Sequence, residues 1–338
     1  MELQMRLQTT RSDNRRMPET VSAAPADTAA RVRESAALSR RLRKLERVFR
    51  VGAIQSQALG AQQVVDYYEN CHDAYRKYHS ADGAVHMALN DGDAFDPDGF
   101  YGQLRRIERD WAPQRPTDVL ELAFGQGFNM GYLASRHPAC HFSGIDLTPS
   151  HLELASQRLR SKGLANTTLT LGDFHHLPYA DAAFDHLFCI EAFCYANDLK
   201  QAFAEAARVL RPGGCFTLFD GYLPRPPAQL LPDEALAVDL VAKGMAMAEL
   251  QVVNELLAVA RLAGFETRAM TSLDTQVLPS LRRLQRVTGA VIRWPWLGKL
   301  ALARRHPMRG RNVLAGYLMH STVILGLIGY RHLVLQKV

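Results

Sequence analysis

The 338-residue sequence predicts an α/β protein with an open, mostly parallel sheet and helices on both faces. Two observations predict it. Seven short apolar runs read as strands, at 119–123, 142–146, 167–171, 186–190, 215–220, 265–270 and 330–336, and most of the intervals between them have helical spacing. The first two runs are joined by a glycine turn and one helical segment, so that 118–146 is a single strand–turn–helix–strand unit. Such a unit cradles a nucleotide-like ligand.

Within that unit the residue types narrow the ligand. Gly125 and Gly127 carry no Cβ to block close approach, and they permit unusual backbone angles. Asp146 ends the second strand, where a carboxylate can accept hydrogen bonds from both hydroxyls of a ribose. A dinucleotide turn would carry a third glycine, but Met130 stands in its place. Glu121 puts negative charge beside the turn, which repels a diphosphate and attracts an amine or a sulfonium. The charge therefore favours S-adenosylmethionine over a nicotinamide dinucleotide. A plain tight turn remains the other reading of the glycine pair.

In chain order, 1–31 is rich in Arg, Ser, Thr, Ala and Pro and is expected to be disordered. Apolar spacing from Val32 to Val51 predicts a helix over 32–57, either packed on the domain or lying on a membrane or partner. The stretch 63–87 is dense in aromatics and histidines and reads as a cover over a pocket. The Asp-, Gly- and Pro-rich 90–99 is a loop, and 100–111 a helix. These form a helical cover over 32–112. The core is expected at 113–275. In it Thr148-Pro149-Ser150 starts a helix that stops at Gly163. Asp173, with Phe174 after it, and Glu191 both end strands at the edge where open α/β sheets place their chemistry. A helix over 199–210 follows, and another over 235–263 that breaks near Gly244. The last part, 276–338, combines a basic amphipathic segment with the final strand. Its apolar run 313–330 reads as a buried helix, with a membrane span as the alternative.

Composition bounds the partners. The net charge of +6 divides into +6 over 1–50, −11 over 51–276 and +11 over 277–338, where no acidic residue occurs. A basic end suits an anionic membrane or an anionic substrate. No interleaved basic and aromatic pattern supports nucleic-acid binding. The five cysteines show no zinc spacing, so no metal is expected, and they read as reduced thiols. No signal-type apolar core occurs at the N-terminus. A cytoplasmic protein is the expectation, with peripheral membrane contact through the basic C-terminal segment as an option; the oligomeric state stays open.

The order of parts resembles the class I S-adenosylmethionine-dependent methyltransferases, closest to the branch of sterol and tocopherol C-methyltransferases. The resemblance is strong over 115–222. It rests on Glu121-Leu-Ala-Phe-Gly125-Gln-Gly127, Gly144-Ile-Asp146, Gly172-Asp173-Phe174, Leu177-Pro178 followed by Phe184-Asp185, Ile190-Glu191-Ala192, and Arg208-Val-Leu-Arg-Pro-Gly-Gly214. It is weaker over 63–90, where Tyr67-Tyr68 and His86-Met87 echo the branch, and faint beyond 235. The resemblance implies a Rossmann-like seven-stranded methyltransferase sheet with its last strand antiparallel, and S-adenosyl-L-methionine as cofactor. It implies that Glu121, Gly125 and Gly127 hold the methionine end and that Asp146 binds the ribose. Leu147 would pack on the adenine, Asp173 would bind its amine, and Phe174 would lie beside it. Glu191 would stand at the substrate pocket. Two departures occur. Phe124 stands where the family usually has Cys and is expected to narrow the cofactor site; Asn129 stands where Gly or Pro is frequent.

Chemistry at the acceptor divides two ways. An alkene acceptor becomes a carbocation on methylation, which aromatic faces stabilise and a base must deprotonate. Tyr67, Tyr68, Phe193 and Tyr195 are the candidate faces, with Glu191 or His86 as base. A hydroxyl or phenol acceptor needs a histidine base, for which His86 or His79 serves. A lipophilic small molecule methylated at carbon is the preferred expectation. An O- or N-methyltransferase, or a cofactor-binding protein without catalysis, is the alternative.

Overall fold

The structure, a computed structural model, describes residues 28–111, 115–294, 296 and 307–338. Seven strands form one sheet: β1 (Asp118–Leu122), β2 (His141–Asp146), β3 (Thr167–Leu171), β4 (Phe184–Ile190), β5 (Leu210–Tyr222), β6 (Phe265–Ser272) and β7 (Gly329–Lys337). Their spatial order is β3-β2-β1-β4-β5-β7-β6. The first five pair in parallel, and β7 runs antiparallel between β5 and β6. The seven expected strands all form, β5 with earlier and later ends than the apolar run 215–220 marks.

Alternation along the strands sorts the core into two faces. Val119, Phe188, Ile190 and Phe219 point to one face; Leu120, Leu122, Leu187 and Leu218 point to the other. The first face is covered by α4 (Gly102–Asp110), α5 (Phe128–Arg136), α6 (Pro149–Ser161) and α10 (Asp274–Ile292); Leu104, Leu133, Leu159 and Leu281 join its core. The second is covered by α7 (Leu199–Val209) and α9 (Val253–Leu262) through Phe203, Ala206 and Leu256. Each fully buried large side chain contributes about 1.5–3 kcal/mol, which sets the register of both faces.

A third cluster joins α1 (Thr28–Glu46), α2 (Val51–Gln55), α8 (Pro232–Gly244) and α11 (Pro307–Ile324) through residues such as Leu42, Ile54, Val241 and Leu318. The helix expected over 32–57 is thus two helices. The first starts at Thr28, inside the stretch expected to be disordered; 1–27 lie outside the described residues. The apolar run at 313–330 divides between α11 and the start of β7. Leu314 and Leu318 of α11 are buried in the third cluster, and among the described residues no helix is long and apolar enough to cross a membrane.

This topology positions the site. Strand order reverses between β1 and β4, and the carboxyl ends of β1 to β4 open onto one edge of the sheet. The helix α3 (Ala61–Tyr78) lies over that edge. Because β7 runs the other way, its first residues reach the same edge, and Tyr330 arrives beside Glu191.

Candidate active site

A cavity of about 630 Å³ opens at this edge. Gly125, Asp146, Leu147, Asp173 and Phe174 line one part of it, and Tyr68, Glu191, Cys194 and Tyr195 another. Leu59, Gly60 and Val64 contribute from the start of α3 and the residues before it.

The glycine turn is built by positive backbone angles, with φ of 61° at Ala123, 53° at Gly125 and 72° at Gly127. Gly125 borders the cavity. Gly127 does not: it starts α5, and a Cβ there would meet Ala155 of α6 at 2.9 Å. Its missing side chain therefore serves helix packing, not ligand approach. Glu121 is also withdrawn from the cavity wall. It is 1% exposed, beneath the turn, and its Oε1 accepts from Asn129 Nδ2 at 2.9 Å. Burial pushes its carboxyl up to about 8 against the opposing pull of Asn129 and the Met130 backbone. Asn129, the second departure from the family pattern, thus serves as the partner of a buried acid. Phe124 does not narrow the cavity. It is buried in the first face of the core, where a Cβ on Gly144 would meet its ring at 2.8 Å.

Asp146 is 5% exposed and heavily engaged. Its Oδ2 accepts from the Gly125 amide and its Oδ1 from the Thr148 amide, both at 2.8 Å. His151 Nδ1 lies 3.2 Å from Oδ1. The carboxylate therefore fixes the turn after β1 and the start of α6 before any ligand arrives. His151 lines the cavity, and its Nε2 is buried without a partner. Asp173 Oδ1 accepts from the backbone and ring of His175, at 2.9 and 2.6 Å. Phe174 stacks on Phe193, centroids 5.7 Å apart.

At the other part, Glu191 has φ of 51°, a conformation that costs roughly 1–3 kcal/mol and persists only where surroundings enforce it. Its Oε1 accepts from the Met87 amide and from Tyr330 Oη, both at 2.7 Å. Desolvation nonetheless raises its carboxyl to about 8. Tyr195 donates to the Met245 carbonyl at 2.8 Å, and its hydroxyl lies 3.3 Å from that of Tyr68. The Tyr68 ring stands edge-on to His151 and Tyr195, making an aromatic wall.

A second, inner cavity of about 60 Å³ adjoins the first at Glu191 and Cys194. Glu191 and Cys194 border both cavities; Asp220, Met87 and Tyr330 border the inner one.

Of the sequence-predicted residues, Gly125, Asp146, Leu147, Asp173, Phe174, Glu191 and Tyr195 meet at the cavity. Glu121 and Gly127 stand behind it. His86 and Tyr67 are not brought there. His86 is 1% exposed, with Nδ1 3.1 Å from the Met87 carbonyl and Nε2 3.0 Å from Asn129 Oδ1, and burial lowers its pKa. Tyr67 is fully buried against Tyr75, their hydroxyls 2.8 Å apart. His79 is buried as well, bonded to the His86 carbonyl. Sequence reasoning missed His151 and Asp220. A signal existed for each: His151 lies one helical turn past the strand-end Asp146, and Asp220 falls near the end of a strand, as Glu191 does.

The cavity fits an S-adenosylmethionine-sized ligand. Its volume lies within the range of small-molecule sites, and the orphaned His151 Nε2 and the acids Asp146 and Asp173 offer partners to hydroxyl and amino groups.

The sequence profile of a methyltransferase domain matches residues 119–214. Methyltransferase GfsG of Streptomyces halstedii is 31% identical over 163 residues, 47% of this chain and 58% of that protein. The 24-methylenesterol C-methyltransferase 2 of Oryza sativa subsp. japonica is 27% identical over 187 residues, 55% of this chain and 47% of that protein. The chain thus spans about half the length of these curated relatives. Among solved structures, mycolic acid cyclopropane synthase CmaA1, complexed with SAH and CTAB, superposes with a TM-score of 0.70 at 15% identity, covering 82% of this chain and 98% of that one. Residues 119–214 thus carry the pattern of a methyltransferase domain, and the chain is similar in sequence to sterol C-methyltransferases.

Proposed function

We propose that the chain is an S-adenosyl-L-methionine-dependent methyltransferase of a small lipophilic acceptor, and that it methylates carbon in an isoprenoid- or sterol-like substrate. One observation carries the reading: a single cavity joins the Asp146 and Asp173 strand ends to a wall of Glu191, Tyr68 and Tyr195. Bound there, the cofactor supplies a methyl group already activated on a sulfonium. What remains for the protein is to hold the acceptor in line and exclude water. Tyr68 and Tyr195 present ring faces and edges to an apolar acceptor. The relatives named for sterol methylation support the lipophilic class. His86 and His79, the expected histidine bases, stand outside the cavity, and the histidines that line it, His151 and His175, are held by Asp146 and Asp173.

The test uses purified protein, methyl-labelled S-adenosylmethionine and four acceptors: a prenyl diphosphate, a sterol, a prenylated quinol and a plain phenol. Label is expected in a carbon-methylated isoprenoid or sterol. Label only in a methyl ether would overturn transfer to carbon.

A further inference from the structure

We propose that the inner cavity receives the carbon centre that turns cationic during methylation, and that Asp220 is the carboxylate that faces this centre and takes its proton. The proposal rests on the methyltransferase reading above and extends it to a residue and a subsite.

The inner cavity holds roughly four to six water-sized positions, enough for the branched end of a hydrocarbon and too few for a ring system. Met87, Met245, Met247 and Met319 line it, and thioethers adapt to an apolar guest and are polarisable. Glu191 and Cys194 border both cavities and so form the partition that a chain reaching inward from the outer one has to pass.

Two carboxyls face this small apolar space, and no Lys, Arg or His stands among its described lining residues. An ion without a counter-ion in such a place is costly unless hydrogen bonds hold it. Asp220 has those bonds on both oxygens, Oδ2 accepting from the Cys194 amide at 3.0 Å and Oδ1 from the Gly221 amide at 2.8 Å, whereas Glu191 accepts its two through Oε1. It is 4% exposed, and burial raises it only to about 6, against about 8 for Glu191. Asp220 therefore gives up its proton at lower pH than Glu191. Environments that push two neighbouring carboxyls apart assign them different roles. The groups facing Asp220 are Glu191, Cys189 and Cys194 at the end of β4, Tyr222 on its own strand and Tyr330 of β7. The sides of the cavity formed by α8, α10 and α11 supply only apolar residues and Thr322.

The step balances. The alkene's π pair forms the new carbon–carbon bond, and the sulfur keeps the pair of the broken sulfur–methyl bond. The other alkene carbon becomes cationic beside Asp220. An adjacent C–H bond then breaks; its pair closes a new double bond, and its proton passes to an Asp220 oxygen.

Two probes test this without a known substrate: butyltrimethylammonium, which mimics the cation, and an uncharged tert-butyl-headed alcohol of the same length. Binding is measured by calorimetry at pH 7, together with S-adenosylmethionine binding. The ammonium is expected to bind at least tenfold tighter than the alcohol. Asp220→Asn should bring the two within twofold of each other, and Glu191→Gln should leave the preference intact. A preference that survives in Asp220→Asn, is lost in Glu191→Gln, or never exists in the wild type overturns the proposal. Should Asp220→Asn fail to fold, the wild type decides: the preference should collapse between pH 7.5 and pH 5, and persistence at pH 5 overturns the proposal. Failure of the wild type to bind S-adenosylmethionine would reject the methyltransferase reading; absent charge preference with that binding intact rejects the role of Asp220 alone.

Discussion

At the scale of single residues, Asp146 shows how one carboxylate holds the backbone of the cavity it lines. Its bonds to the Gly125 and Thr148 amides exist without ligand, so removing it loosens the turn as well as any ribose contact. Asp146→Ala is expected to weaken S-adenosylmethionine binding by about 2 kcal/mol or more, roughly thirtyfold, measured by calorimetry. Asp146→Asn, which keeps one acceptor oxygen, should fall between the two, and unchanged affinity in Asp146→Ala would remove this residue from the site. Acids at strand ends were legible in the sequence because the edge rule for open sheets places them. The Tyr67-Tyr68 pair was legible only as a pair. Successive residues on a helix point about 100° apart, and nothing in two identical neighbours tells which enters the core. Tyr67 packs with Cys71 and Tyr75, and Tyr68 faces the cavity. His86 sits in an irregular segment with no periodicity to read, so its turn toward Asn129 could not be foreseen.

At the scale of elements, the turn after β1 separates two jobs that the sequence seemed to merge. Its backbone borders the cavity at Ala123 and Gly125, and its one large side chain, Phe124, points into the core beneath. The size of Phe124 therefore bears on stability and not on the ligand. Phe124→Cys is expected to cost about 2–4 kcal/mol of unfolding free energy through the space it vacates, with S-adenosylmethionine affinity unchanged within twofold. Denaturant unfolding and calorimetry on the same sample check both halves, and tighter cofactor binding would show that the ring does reach the site. Elements with strong periods were the readable ones. The strands announce themselves as apolar runs, and Pro149 and Gly163 mark the ends of α6. The division of the first expected helix was hidden, because Leu45, Val48, Phe49 and Val51 continue an apolar spacing through the break.

For the whole molecule, the buried ionisable groups set how stability depends on pH. Glu121 and Glu191 hold their protons to about 8 when folded and release them near the ordinary carboxyl range when unfolded. Stability they contribute is complete below the unfolded value and is lost as pH rises toward 8. His79 and His186 act oppositely: burial lowers them to about 4, so their contribution fades as pH falls below the ordinary imidazole value. Between pH 6.5 and 8 only the carboxyl effect remains. The melting temperature of cofactor-free protein is expected to drop across that window, each carboxyl contributing about 1.4 kcal/mol per pH unit at most. Replacing both by glutamine should flatten the profile, and an equally steep profile in the double variant would contradict the assignment. The charge division along the chain gave no hint of this, since the acids concerned are hidden inside the sheet edge.

The place of β7 has a consequence for how the protein is made. Synthesis delivers β1 to β5 first, then β6, and β7 last, yet β7 is the strand that joins β6 to the rest. Until it emerges from the ribosome, the outer edge of β5 and both edges of β6 stand unpaired, a state open to wrong pairing. The residues that line the cofactor side of the cavity are already translated by then, whereas Tyr330 and α11, which bound the inner cavity, are not. In the order of synthesis, the strand ends around the outer cavity are thus complete before the inner cavity can be closed.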